Sequence, residues 1–465
     1  MCSLVEAIIN ANRDARTHAD CPPGSGPDVI VLPSDSTQSL TAVDNRSYGA
    51  TGLPVVTSEI TIEGNNSRIV RASSAPAFRL ATVTGKLILK NVTLQGGAQP
   101  TWDNASGVRN GGCGILISQG TVHLENSTVC DNACYFRGGG IYNHYGQLRV
   151  INSLITRNTG STGGGLAQYH GTAEVTDSVI SENLANKNDG GGIYNGASNL
   201  TLRQSTVRDN RANYGGGIRQ EWDSRSTISD SNILGNHATT SGGGIENGAF
   251  ASLTICSSTI ARNSSDGRGG GLTGTMSHNG TLVVNTTISG NTAGTTGGGV
   301  SIWGEGVTTL TRSTIAFNHA NESGGGLFTA NSPTVLSNTL VTGNSADGTG
   351  PEMVCQGALC SRYATVNHFN LFGYGGRAGL VGFSPGTRDI VPTQPLAAIL
   401  DSALEDNGGA TLTHALLPGS VAMDAGDPDF EKVIYGRTDI YDQRGPGFLR
   451  LGGPHMDIGA FEVQP

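Results

Sequence analysis

The chain has 465 residues, of which 70 are glycine, 5% are aromatic and 14% are charged, with a net charge of −9 at pH 7; such a composition suits tight turns and short strands and excludes a fold of amphipathic helices. Only four of the 28 basic residues are lysine (Lys86, Lys90, Lys187 and Lys432), so no basic footprint for a phosphate backbone exists and nucleic acid is excluded as a partner. No run of about 18 apolar residues is present, which excludes a helical membrane span.

At the N-terminus, Ser3-Leu4-Val5-Glu6 has the form of a capping box ahead of Ala7, Ile8 and Ala11 and predicts one amphipathic helix. Residues 1–54 are read as an N-terminal cap. Met1 is read as a start that replaces a removed export signal, because the cysteines look like those of an exported protein. Cys2 with Cys21, Cys130 with Cys134, and Cys355 with Cys360 are the expected local disulfides. Cys113 and Cys256 lie several coils apart at about 4.8 Å per coil, too far to bridge one another. They are read as buried thiols, with Cys113 a competitor for Cys130 or Cys134.

From residue 55 to 349 the chain repeats. Triple glycines begin at Gly138, Gly163, Gly190, Gly215, Gly242, Gly269, Gly297 and Gly324, at intervals of 25 to 28 residues, after a degenerate copy at Gly111-Gly112-Cys113-Gly114. A second marker keeps the same period at Asn132, Asn158, Asn183, Asn210, Asn236, Asn263, Asn291, Asn318 and Asn344. Each unit contains three short apolar runs separated by turns, which makes one triangular coil of an all-β, right-handed parallel β-helix. Stacking places Ile141, Leu166, Ile193, Ile218, Ile245, Leu272, Val300 and Leu327 in one interior ladder. About nine coils rise roughly 40 Å. The glycines are expected to supply positive φ and close approach at one corner, and the asparagines to hydrogen-bond coil to coil at another, where left-handed geometry is tolerated. Residues 350–465 lose the repeat, gain proline and aspartate, and are read as C-terminal coils and an irregular cap.

Both ends carry a resemblance. Cys2-Ser3-Leu4-Val5-Glu6-Ala7-Ile8 with Asn10-Ala11-Asn12 and Asp28-Val29-Ile30-Val31-Leu32 resembles the CSLREA-type N-terminal segment of exported bacterial β-helix proteins, with Val5 in place of the usual arginine. Asp406-Asn407-Gly408-Gly409, Thr413-His414-Ala415-Leu416-Leu417-Pro418-Gly419-Ser420, Asp424-Ala425-Gly426, Asp442-Gln443-Arg444-Gly445 and Asp457-Ile458-Gly459-Ala460-Phe461-Glu462 are similar to the choice-of-anchor-type C-terminal region of the same group. The resemblance implies a secreted protein of the pectin-lyase-like superfamily. It carries over no catalytic residue.

Counting from the last glycine, the first residue of each coil points inward and the second and fourth outward. The second column reads Tyr142, Ala167, Tyr194, Arg219, Glu246, Thr273, Ser301, Phe328, and the fourth His144, Tyr169, Gly196, Glu221, Gly248, Thr275, Trp303, Ala330. A face so rich in rings and charge suits a polysaccharide chain, with Tyr142, Tyr194, His170, Trp222 and Trp303 as substrate-binding residues. Glu221, with room expected beside Gly196 and Gly248, and Glu246 could serve as the acid and base of an inverting glycosidase; Arg219 bridging both is the structural alternative. A β-elimination would use His144 and Tyr169, with Tyr142 and His170, beside Arg219. The reading is an exported, monomeric protein that cleaves glycosidic linkages as a hydrolase or lyase; the competing reading is a non-catalytic adhesin or structural glycan-binding protein. No cofactor is called for; calcium among Asp424, Asp427 and Asp429 is the one metal considered, with surface turns as the alternative.

Overall fold

The computed structural model describes residues 2–99, 111–275, 279–357, 360, 364–365, 368–429, 433–434, 437–438 and 440–465. It is an all-β parallel β-solenoid with almost no helix. The chain divides into two compact units, Met1–Thr201 with Ser205–Asn213, and Leu202–Gln204 with Tyr214–Pro465.

The first unit opens with the helix Leu4–Asn12, and its capping box is formed: Glu6 N–H donates to the Ser3 hydroxyl while the Ser3 N–H donates to the Glu6 carboxylate. Leu4, Ile8 and Ala11 turn inward and are buried. The strands Ala81–Val83, Ile115–Ser118, Ile141–His144, Leu166–Tyr169 and Ile193–Gly196 then follow one another in a parallel sheet. Ile141 pairs in register with Leu166, and Leu166 with Ile193, so the interior ladder forms as the period predicts. Only the first glycine of each triplet has positive φ; Gly138 sits at 65°. The second serves close approach: a Cβ on Gly139 would lie 2.4 Å from the Thr159 carbonyl oxygen.

At the asparagine corner, the backbone N–H and the Nδ2 of Asn132 both donate to Oδ1 of Asn158, at 3.1 and 2.9 Å. Asn158 repeats this onto Asn183, and Asn183 onto Asn210. The left-handed residue is the one before each asparagine (Asp131, Arg157, Glu182, Asp209), not the asparagine itself. The ladder needs the asparagine on the inner side of the bend, where Asn158 and Asn210 are fully buried, so the positive φ falls one residue earlier.

The second unit repeats the plan with Ile218–Glu221, Ile245–Asn247, Leu272–Thr275, Val300–Trp303, Leu327–Ala330, Met353–Gln356 and Leu380–Val381. Its ladder runs Asn236, Asn263, Asn291, Asn318, Asn344. Beyond residue 400 the chain folds back along the flank of its own coils. Thr259 donates to the Leu412 carbonyl at 2.6 Å, Thr287 to Gln443 at 2.6 Å, and Ser289 meets His414 at 2.7 Å. Hydroxyls that would otherwise face water are thereby buried. The tail is held by Arg444, which pairs with Asp442 at 2.6 Å and lies 3.9 Å from the ring centroids of both Phe448 and Phe461.

Cys2–Cys21 and Cys355–Cys360 are bonded as expected. Cys130–Cys134 is not: Cys134 bonds Cys113, with 5.5 Å between Cα atoms, and Cys130 is a buried thiol like Cys256. The chain turns a corner at Asp131-Asn132, so Cys130 lies in the strand Thr128–Cys130 and Cys134 in Ala133–Cys134 of a different sheet. Nearness in sequence is cancelled by that corner.

Candidate functional site

In the first unit, His144 and Tyr169 are register partners at the ends of adjacent strands, and their rings are parallel within 8° at 6.3 Å between centroids. The next residues, Tyr145 and His170, leave the strands in left-handed conformations with φ of 56° and 53°. That bend swings both rings outward, where they stack at 4.7 Å and 22°. Tyr145 is 51% exposed and His170 is exposed. The two stacks meet edge to face through His144–Tyr145 and Tyr169–His170. Half-burial, with His170 and Arg137 nearby, holds the His144 imidazole below its usual range, so it is neutral at neutral pH.

Arg137 was absent from the sequence-predicted set. Its guanidinium lies 5.1 Å from the Phe136 ring centroid, 5.2 Å from Tyr169 and 5.9 Å from Tyr194, and among the described residues it forms no ion pair. Tyr145 was also missed, although it follows His144 as His170 follows Tyr169, 25 residues on. That shared offset is the signal that could have found it.

Tyr142 and Tyr194 do not present open faces. Both are buried, in one cluster with Leu116 and Ala167, and the space beside Gly196 is filled by Tyr194 itself: a Cβ there would lie 2.9 Å from its ring. Burial pushes the Tyr142 hydroxyl up, with Arg137 pulling it back. The Tyr142 ring lies against Gly111 of the preceding coil, where a Cβ would come within 2.5 Å of it, so alternation alone overstates its exposure. These two tyrosines support the platform from beneath.

In the second unit, Arg219 stands between the two glutamates. Its Nη2 lies 2.9 Å from Glu221, and its Nη1 contacts Glu246. Ser241 donates to the other Glu246 oxygen at 2.6 Å. The space expected beside Gly248 is taken by this pair, since a Cβ there would lie 3.3 Å from Arg219 Cζ and 3.2 Å from Glu221 Cβ. The Glu246 side chain is 3% exposed, and burial pushes its carboxyl above the usual carboxylate range against the pull of Arg219 and Ser241. Trp222 is 44% exposed, in a left-handed turn. Trp303 stacks on Phe328 at 5.2 Å, with Arg268 over its ring at 4.6 Å.

Asp424, Asp427 and Asp429 do not converge on a common point among the described residues. Asp427 instead accepts the Asp429 N–H at 3.0 Å, and Asp424 the His455 N–H at 3.4 Å.

No protein family matches the chain, and no curated protein does. The chain is similar in structure to a pectate lyase. The crystal structure of pectate lyase Pel9A aligns with a TM-score of 0.36 and 13% identity, over 96% of this chain and 92% of the other. The side chains of this chain are the ground for a functional reading.

Proposed function

We propose that this is an exported protein that acts on an acidic polysaccharide, and that His144, Tyr145, Tyr169, His170 and Arg137 form the surface that receives the sugar chain. The observation that carries the reading is the Tyr145–His170 stack, two exposed rings held in parallel on successive coils. A sugar ring lays its C–H face on the outer face of such a stack, and the Arg137 guanidinium, which has no acidic partner among the described residues, offers a fork to a uronate carboxylate. Three disulfides support export.

The chemistry this set can perform is β-elimination. Neutral His144 accepts the proton from C5 while Arg137 steadies the carboxylate as charge builds on it. The C4–O4 bond then breaks, the C4–C5 double bond forms, and the Tyr169 hydroxyl gives a proton to the departing O4. Hydrolysis by Glu221 and Glu246 is the competing chemistry. It requires both carboxylates to release Arg219, and Glu246 to reach a substrate from a position that is 3% exposed. A non-catalytic adhesin would use the same platform without turnover.

The test is a panel of acidic polysaccharides (polygalacturonate, alginate, hyaluronan) and neutral ones, read for ultraviolet absorbance and new reducing ends. Both signals together, lost in His144→Ala and Arg137→Gln, are expected. Reducing ends without absorbance would replace elimination by hydrolysis, and binding without either signal would leave the adhesin.

A further inference from the structure

A groove of about 350 Å³ in the first unit is lined by Asn65, Asn66, Asn91, Val92, Thr93, Asn126 and Thr128. It belongs to a corner the platform does not use. The turn residues Asn66, Asn91 and Asn126 all have positive φ, between 50° and 67°, but the fold does not demand an amide for that: Asp177 takes the same conformation two coils beyond Asn126 at 50°. Asparagine is thus placed three times where the backbone would accept another residue. Among the described residues, the Asn91 amide and the Thr93 and Thr128 hydroxyls have no hydrogen-bond partner within the protein. Val92, 2% exposed, is the floor.

No ionised group lines the groove. The charged side chain bonded to its lining is Asp35, which accepts from Asn66 at 2.5 Å. Without a charged side chain it lacks the charge-assisted contacts that favour a phosphate, a carboxylate or a divalent cation. It does offer the whole Asn91 amide, the carbonyl oxygens of Asn65 and Asn66, whose amide nitrogens donate to the Leu32 carbonyl and Asp35 Oδ1, and the amide nitrogen of Asn126, whose oxygen accepts from Asn152, beside hydroxyls that can be either. Neighbouring hydroxyls of a sugar ring present the same alternation, and coils about 4.8 Å apart repeat it along the groove.

We infer that this groove is a binding site for neutral sugar residues, separate from the acidic-polysaccharide platform and independent of whether that platform is catalytic. Neutral hexasaccharides of glucose, xylose, mannose and galactose are the probes, read by saturation-transfer NMR on the whole chain. At least one is expected to receive saturation, and Asn91→Gly with Thr93→Val is expected to weaken its binding about tenfold. Asn91→Gly keeps the left-handed turn, so an unchanged melting temperature separates lost contacts from lost folding. The paired variant Tyr145→Ala, His170→Ala should leave the neutral signal intact. Silence from all four sugars, or a signal lost only with the platform variant, would overturn the site.

Discussion

Asn344 ends its ladder on a carboxylate: its backbone N–H and its Nδ2 both donate to Glu352 Oε2, at 3.2 and 2.7 Å, and the Gly343 N–H donates to Oε1 at 2.9 Å. From Asn236 to Asn318 each asparagine passes two donors to the next oxygen, so the ladder needs a final group that accepts and asks for nothing. The unprotonated oxygen of a carboxyl group meets that condition, as a carbonyl oxygen would. The neighbouring corner ends the same way, with Asn370 donating from N–H and Nδ2 to Asp389 at 3.0 Å.

Removing that stop should therefore cost more than its contacts suggest. Glu352→Leu removes the acceptor of the Gly343 and Asn344 backbone N–H groups and leaves the Asn344 Nδ2 only the Ile315 and Thr342 carbonyls, and is expected to destabilise the chain by roughly 2–4 kcal/mol, while Glu352→Gln, which keeps one acceptor oxygen, costs about 1–2 kcal/mol. Calorimetric melting of the two variants checks the order. Equal melting temperatures would mean that water completes the ladder instead.

Stability should fall as pH rises above neutrality. Burial pushes Glu352 up to about 8 and Glu462 up to about 7, from an ordinary value of 4.5. Both folded-state values lie above the unfolded one, so the folded chain holds protons that the unfolded chain has lost between pH 4.5 and each folded value. His123, His144 and His414, held below their usual range by burial, act the other way up to about pH 6.5, so the melting temperature is expected to decline from about pH 7 to pH 8, by roughly 1–2 °C per kcal/mol lost. Glu462→Gln should flatten the lower part of that decline, and a curve that rises over this range would contradict the assignment.

Arg219→Met is expected to destabilise by roughly 3–5 kcal/mol, because it strands Glu246 in a buried site without its cation. Adding Glu246→Gln to it should restore much of the loss. If Arg219→Met melts like the parent protein, the triad is not structural, and Glu221 with Glu246 return as catalytic candidates.

Unfolding without reductant should expose two alkylatable thiols, Cys130 and Cys256. Peptide mapping should find Cys113 joined to Cys134, and Cys134→Ser should cost about 2–4 kcal/mol by releasing that loop. A mapped Cys130–Cys134 link would refute the pairing.

The coils, the interior ladders Ile141 to Ile193 and Ile218 to Leu327 and the capping box at Ser3 and Glu6 were legible in the residues, because each is a periodic or local pattern that a strand or a helix end imposes on the chain directly. The platform was legible in part: His144, Tyr169 and His170 stand out at one offset, yet Arg137 lies before the glycines and joins the rings only across coils. Exposure was not legible. Alternation assigns Tyr142, Tyr194 and Glu246 to the outer side, but whether an outer side chain meets water depends on what the neighbouring coil lays over it.

Sequence alone determined the solenoid, its period and the corner that asparagine occupies, since those follow from spacing along one chain. The tertiary structure alone decided that Cys134 takes Cys113, that Arg219 holds two glutamates and that the tail turns back along its own coils. Each of these depends on which residues meet across about 4.8 Å between coils, and separation along the chain carries no record of that distance.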